Sequence, residues 1–281
     1  MLNEKYRAHI HPDITATVRA AAQAWVALAA QAIATRGDFH VALSGGATPR
    51  ALYQCLASAE FAGACDWQRI HIWFGDERTV PPQHPDSNYH MAHEALLRHV
   101  PVPLAHIHRM QGEQADAHQA ARAYQAQMVA HMPLSGVPNT PAIPQFDLIL
   151  LGLGPDGHVA SLFPDTPILT ERARWVAAVF VEKLNAWRIS LTLPVIENAQ
   201  HIIMLVTGAG KAGIVGEILG GTAGRLSATP AKDVACYPVQ MINPRVAMDW
   251  YLDTAAAQYI VGPALSSALP SVIPPVIKDQ P

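Results

Sequence analysis

Apolar residues recur at three- and four-residue intervals early in the chain, at Ile14, Val18, Ala21, Trp25, Leu28 and Ala32. That spacing places them on one helical face and predicts an amphipathic helix over 14–35, ended by Gly37. The pattern then shortens. His40 to Leu43 reads as a brief apolar strand running into Ser44-Gly45-Gly46, followed by a helix from Pro49 to about Ala59. A strand over Arg69 to Phe74, a polar loop from Gly75 to Asp86 and a helix from Ser87 to Arg98 come next. A further helix is predicted over Glu113 to Met132.

Pro133, Pro138, Pro141 and Pro144 exclude regular structure and predict a surface loop rather than a domain boundary. Asp147 to Leu151 is apolar on both faces, as a central parallel strand must be. Strands are expected at Trp175–Val181, Ile189–Leu193 and His201–Thr207, a helix after Gly210, and a last helix over Val246–Ala257. Strands alternating with helices predict an α/β fold: a mostly parallel, doubly wound sheet with helices on both faces, Rossmann-like in plan. Ligands of such sheets bind beyond the carboxyl ends of the strands. Residues 1–261 are expected to form a single α/β domain, and 262–281, rich in Pro, Ser and Ala, an irregular C-terminal extension.

Composition narrows the partners. Half the residues are apolar, enough for a substantial core, and a formal charge of -3 declares no basic face for nucleic acid. The three cysteines, Cys55, Cys65 and Cys236, form no C-x-x-C pair and fit a reducing compartment. Cys55 falls on an apolar helix face and reads as a buried free thiol. The first residues lack the apolar core of a signal peptide, and no run approaches the ~20 apolar residues that span a bilayer. The expectation is a cytoplasmic protein with no membrane partner, a monomer or a homodimer. His9/His11, His90/His93 and His106/His108 have spacings at which two histidines can share a metal. No carboxylate or cysteine cluster completes any pair, so solvated histidines are expected and no metal.

Three loops follow predicted strands and carry the candidate chemistry. In LSGGATPR, Leu43 to Arg50, Gly45 and Gly46 allow a tight turn, Thr48 can cap a helix, and Pro49 suits its first position. Free N–H groups at such a helix start attract an anion. This loop lacks the lysine of a P-loop and the spacing of G-x-G-x-x-G, so a sugar phosphate fits better there than a nucleotide. In FGDERTVPPQHPDSN, Phe74 to Asn88, Arg78 offers a planar fork for phosphate, or else pairs with Asp76 or Glu77. Ser87 reads as a helix N-cap, with Asn88 beside it as a weaker binding candidate. In LLGLGPDGHVASLFP, Leu150 to Pro164, a glycine-rich strand end delivers Asp156-Gly157-His158, and histidine is the side chain best suited to proton transfer near neutral pH. Lys211, in VTGAGKAG, stands just beyond another strand.

Taken together and in this order, the segments resemble the 6-phosphogluconolactonase family, part of a wider group that includes glucosamine-6-phosphate deaminases. LSGGATP, GDERTVP with DSN, GLGPDGHVASLFP, RISLTLP, VTGAGKAG and WYLD carry the resemblance, over roughly residues 14 to 257. It implies a sheet of the sugar-phosphate isomerase type and hydrolysis of a phosphorylated sugar lactone, without metal, cofactor or covalent intermediate. His158 would be the catalytic base, with Asp156 orienting it or shaping the turn. Arg78 and Lys211 would hold the phosphate beside Ser44, Gly45, Gly46 and Thr48, with Asn88 also on the substrate side. The deaminases carry an acidic F-N-E-P-like run after the histidine and D-E-Y in place of D-E-R. Ala160 to Pro164 contains no acid and Arg78 follows Glu77, so both differences favour the lactonase. Ala47 stands where many relatives have serine. The alternatives are a deaminase or isomerase, and a non-catalytic sugar-phosphate sensor on the same fold.

Overall fold

A computed structural model describes residues 5–135, 142–220 and 236–260. The chain opens with β1 (Tyr6–His11), α1 (Ile14–Arg36), β2 (Phe39–Leu43), α2 (Ala47–Leu56), β3 (Ile70–Phe74), β4 (Asp76–Arg78) and α3 (Asn88–Ala92). It continues through α4 (Ala117–His131), β5 (Leu134–Ser135), β6 (Ile143–Pro144), β7 (Leu148–Leu151), β8 (Val176–Val181) and β9 (Ala186–Leu191). It closes with α5 (Leu193–Glu197), β10 (Ile202–Val206), α6 (Ala212–Leu219), α7 (Pro238–Met241) and β11 (Met248–Asp253).

Six strands form one parallel sheet in the order β1-β11-β10-β7-β2-β3. Alternate residues of each strand enter different cores. Leu148 and Leu150 pack with Trp25, Leu52 and Leu96 from the α1–α3 side. Ile149 and Leu151 pack with Tyr124, Val195 and Val215 from the α4–α6 side. Burial on both faces is why these strands read as unbroken apolar runs. The expected doubly wound α/β plan is present. From β2 the chain steps outward to β3, then returns across β2 to β7 and continues to β10 and β11. The winding therefore reverses between β2 and β7, and that reversal opens a crevice at the carboxyl ends of the strands.

Local chemistry sets the boundaries. Asp13 caps α1 by accepting from Ala16 N at 2.8 Å, and Gly37 closes it at φ +93°, close to the predicted limits. Asp116 caps α4 in the same way, starting that helix a few residues later than its apolar period suggests. The predicted helix over Ser87 to Arg98 is α3, continued through a wider turn over His93–Leu97. The polar loop contains the short strand β4. In the proline-rich stretch β5 pairs with β6, and the residues between, 136–141, lie outside those described, as does the proposed extension 262–281.

Several expectations need correcting. The last helix, over Val246–Ala257, is the strand β11. Its buried side chains are Met248, Trp250, Leu252 and Asp253, and the first three alternate with half-buried Asp249 and Tyr251, a period of two that the following alanines obscure. The chain start forms β1, which gains its partner only when β11 arrives from the far end of the sequence. The strands expected at Trp175–Val181 and Ile189–Leu193 are off the main sheet. They form β8 and β9, which with β4 make a small antiparallel sheet against α4. Only four residues join them, with Asn185 in the left-handed region at φ +44°, far too few for a parallel crossover. Cys55 is half-buried, and burial pushes its thiol up.

Of the three histidine pairs expected to be solvated, His93 keeps an exposed side chain beside Glu94 Oε1 at 3.0 Å, whereas His9/His11 and His106/His108 pack on other rings. His9 and His11 stack on Tyr251. His108 is buried on Trp73, ring centroids 3.8 Å apart, and its Nε2 lies 3.2 Å from His71 Nδ1. His71 in turn stacks on His40 and His106. No group of three or more His, Cys, Asp or Glu among the described residues is disposed to hold a metal ion. Burial first, then the neighbouring histidines, press His40 and His108 down to about 3 and His71 to about 4.

These depressed values make the fold acid-sensitive. Below the ordinary histidine value the unfolded chain takes up protons that the native cluster refuses, so stability present near neutral pH is lost as pH falls from about 6.5 toward 4. Urea unfolding near pH 7 and near pH 5 measures this. The midpoint is expected to drop at the lower pH, and to drop less in His108→Phe, which keeps a ring on Trp73 without a proton site.

Candidate active site

Four segments, those after β2, β3, β7 and β10, meet at the crevice and enclose a cavity of about 460 Å³. Every predicted site residue except Asp156 lines it: Ser44, Gly45, Gly46, Thr48, Arg78, Asn88, His158 and Lys211. Asp156 stands behind His158, bonded to it.

The loop after β2 is fixed from below. The buried Tyr53 hydroxyl accepts from Ser44 N at 2.9 Å and donates to Ser44 O at 2.8 Å. Ser44 Oγ accepts from Gly152 N at 3.2 Å, tying this loop to the one after β7. Gly46 sits at φ +108°, open to glycine, and the first turn of α2 behind it has no side-chain cap. Gly45 is required for a different reason: any β-carbon there would overlap the side-chain amide of Asn88.

Asn88 belongs to a buried polar frame. Its Nδ2 donates to Asp76 O at 2.9 Å and Asp76 Oδ1 at 3.1 Å, while Asp76 Oδ2 accepts from Ser161 Oγ at 2.6 Å. Glu77 accepts from four donors at 2.7–3.0 Å: Arg78 N, Ser87 Oγ, Asn88 N and Tyr89 N. Burial nevertheless leaves its carboxyl raised above the usual range. Both acids are thus occupied in fixing β4 and the start of α3. The guanidinium of Arg78 pairs with neither. It donates to Asp86 O and borders the cavity. Arg188 lies directly opposite on β9, lowered by burial and then by the charge of Arg78.

The third loop carries the histidine. Gly154 N donates to His158 O at 2.8 Å, Gly157 N donates to Gly154 O at 3.1 Å, and Gly157 sits at φ +73°. A β-carbon on Gly154 would run into the imidazole. The ring stacks on Phe163, centroids 4.0 Å apart. Its Nδ1 lies 2.5 Å from Asp156 Oδ1. An ionised carboxylate only accepts, so Nδ1 carries the proton and the lone pair falls on Nε2. Burial lowers His158 below the ordinary value, and Asp156 opposes that without overcoming it. Burial alone would raise Asp156, but Lys183 and His158 together hold it at about 2. The site therefore pairs a neutral imidazole with a charged carboxylate at neutral pH.

On the far side Lys211 Nζ donates to Leu153 O at 2.8 Å, and burial lowers its ammonium. Thr48 Oγ1 meets Thr207 Oγ1 at 2.8 Å. The buried carboxylate of Asp253, at the end of β11, accepts from Gly208 N through both oxygens at 3.0 Å and so anchors the loop that carries Lys211. Sequence reasoning gave no role to Asp253, Ser161 or Lys183. The only local signal for Asp253 was its place in WYLD, and Lys183 lay in a stretch with none.

A family model described as glucosamine-6-phosphate isomerases/6-phosphogluconolactonase matches residues 12–250. The 6-phosphogluconolactonase of Synechocystis sp. is 40% identical over 228 residues, 81% of this chain and 87% of that one. The 6-phosphogluconolactonase of Haemophilus influenzae is 37% identical over 222 residues, 79% of this chain and 87% of that one. The solved 6-phosphogluconolactonase from Trypanosoma cruzi superposes with a TM-score of 0.77 at 28% identity, covering 92% of this chain and 97% of its own. A monomeric glucosamine-6-phosphate deaminase superposes with a TM-score of 0.70 at 16% identity, covering 90% and 99%, a likeness of fold alone.

Replacing Asp156 by Asn removes the charge that favours imidazolium at His158, so the ring should titrate at lower pH than in the wild type. An NMR titration of the His158 ring signal reads this directly. An unchanged or higher value would show that Asp156 is not coupled to the ring.

Proposed function

The chain belongs to the glucosamine-6-phosphate isomerase/6-phosphogluconolactonase family, and on that premise we propose that it hydrolyses 6-phospho-D-glucono-1,5-lactone to 6-phospho-D-gluconate with His158 as general base. The reaction is the lactone-opening step of the oxidative pentose phosphate pathway. The observation that carries the reading is the Asp156–His158 pair, with its imidazole neutral and Nδ1 engaged, on a cavity that Arg78 and Lys211 also line.

A lactone carbonyl is already electrophilic, so the attacking water needs activation and aim. His158 Nε2 takes a proton from water as its oxygen bonds to C1, and the carbonyl becomes an oxyanion. The intermediate then collapses with cleavage of the bond from C1 to the ring oxygen, which takes up the proton from His158. The product is the open acid, which ionises and releases one proton. A positioned base contributes about 10²–10⁴ in rate. Each well-placed oxyanion donor adds about 10²–10³, and N–H groups of the glycine-rich turns are the candidates. Arg78 and Lys211 would grip the phosphate at the other end of the sugar and turn that remote binding into orientation at C1.

Residues 1–261 act in this reading as a single hydrolase domain. Among the described residues no helix is long and apolar enough to cross a membrane. The free thiols of Cys55, Cys65 and Cys236 support a reducing cytoplasm.

Proton release from freshly generated lactone, measured against spontaneous hydrolysis, tests the reading. His158→Ala should lower kcat by about 10²–10⁴ with KM little changed. Arg78→Ala and Lys211→Ala should chiefly raise KM. A base must be neutral to act, and burial holds His158 below its ordinary value. The wild-type kcat/KM should therefore be flat through neutral pH and decline only below about 6.5. No acceleration by folded wild type, with ammonia released from glucosamine 6-phosphate instead, would move the assignment to the deaminase branch.

A further inference from the structure

The hairpin that joins β8 to β9 reaches from the small antiparallel sheet to the catalytic loop. At its turn Lys183 places its ammonium on Asp156 Oδ2, while the other oxygen of that carboxylate engages His158 Nδ1. The same ammonium lies 4.6 Å over the ring of Phe163, on which His158 stacks. Lys183, Asp156, His158 and Phe163 thus close a ring of contacts behind the imidazole. We infer that Lys183 is the positioning residue of the dyad, clamping the Asp156 carboxylate so that it holds His158 in one orientation and one tautomer.

The clamp does two things. A carboxylate with one partner is free to rotate about its last bond, whereas one held at both oxygens presents a fixed acceptor to Nδ1. The second effect is electrostatic. The charged groups facing His158 are Asp156 on its own loop, Asp76 from β4 and Lys183 from the hairpin. Lys211, from the loop after β10, couples to Asp156. Both carboxylates favour imidazolium and Lys183 opposes it. Burial is what chiefly keeps the ring neutral, and Lys183 adds to it in the same direction, against the pull of Asp156. The side chain of Lys183 is half exposed, so its replacement does not threaten the core.

This inference rests on the lactonase reading for its kinetic arm only. His158 ring signals are titrated by NMR in wild type, Lys183→Met and Lys183→Arg, and proton release is assayed on the same three proteins. Lys183→Met should titrate at higher pH than wild type, opposite in sign to Asp156→Asn, and its kcat/KM should begin to fall at higher pH. Its kcat at neutral pH should fall about tenfold, the scale of one lost orienting hydrogen bond, with KM unchanged. Lys183→Arg should restore the wild-type titration. Identical titrations in all three proteins would overturn the clamp, as would a raised KM with kcat intact, which would make Lys183 a substrate ligand. A wild type that does not hydrolyse the lactone defeats the functional reading, while the NMR arm still decides the clamp.

Discussion

A sheet buried on both faces has no room along its length for water or for unpaired charge. Leu148 to Leu151 fill two cores at once, and the other central strands do the same. Burying an unpartnered polar group there costs about 1–3 kcal/mol, and a charge far more. Chemistry is therefore expelled to the strand ends, and the reversal of winding between β2 and β7 parts two loops just where they would otherwise close over each other. The cavity follows from that single constraint, as does its lining by loops rather than strands.

Loops carry the reactive groups, so their backbones need support that a sheet would otherwise give. A second layer of polar contacts supplies it. Tyr53 holds Ser44, Ser44 holds Gly152, Glu77 gathers three donors at the start of α3, and Asp253 holds Gly208. Each ties one strand-end loop either to a neighbouring strand-end loop or to an element whose position the core has already fixed. Glycine appears where a β-carbon would collide with a side chain of the site, at Gly45 against Asn88 of the next loop and at Gly154 against His158 of its own loop. The loops after β2 and β3 fit one another, not only a ligand.

The histidine at the centre is set by competing effects. Burial disfavours imidazolium, Asp156 and Asp76 favour it, and burial wins. Asp156 is itself held charged by Lys183 and His158. A base that is neutral yet firmly oriented requires this balance, because the carboxylate that aligns a ring also tends to protonate it. At the opposite ends of β2 and β3 the stacked histidines His40 and His71 stay neutral because burial and the neighbouring histidines outweigh what favours their charge, Asp38 in the case of His71, and there the outcome is acid sensitivity rather than catalysis.

Much of this was legible in the residues. The period of α1, its end at Gly37, the unbroken apolar run of β7 and the glycine-rich strand ends follow from local sterics and side-chain periodicity, which any reader of the chain can apply. The order of motifs named the family, and the loops holding His158, Arg78 and Lys211 were visible because each follows a strand. What failed to show was whatever depends on residues distant in sequence. β1 and β11 are strands because they pair with each other across the whole chain, and neither has a decisive local signal. β8 and β9 left the main sheet because four residues cannot make a crossover, a limit of chain length rather than of composition. Asp253, Ser161 and Lys183 acquire their roles only by proximity. The sequence by itself determined the elements and the reactive groups, since those depend on neighbours along the chain. Tertiary structure alone decided which charges face His158, because Coulomb interactions depend on distance in space and on burial, and neither can be read from spacing.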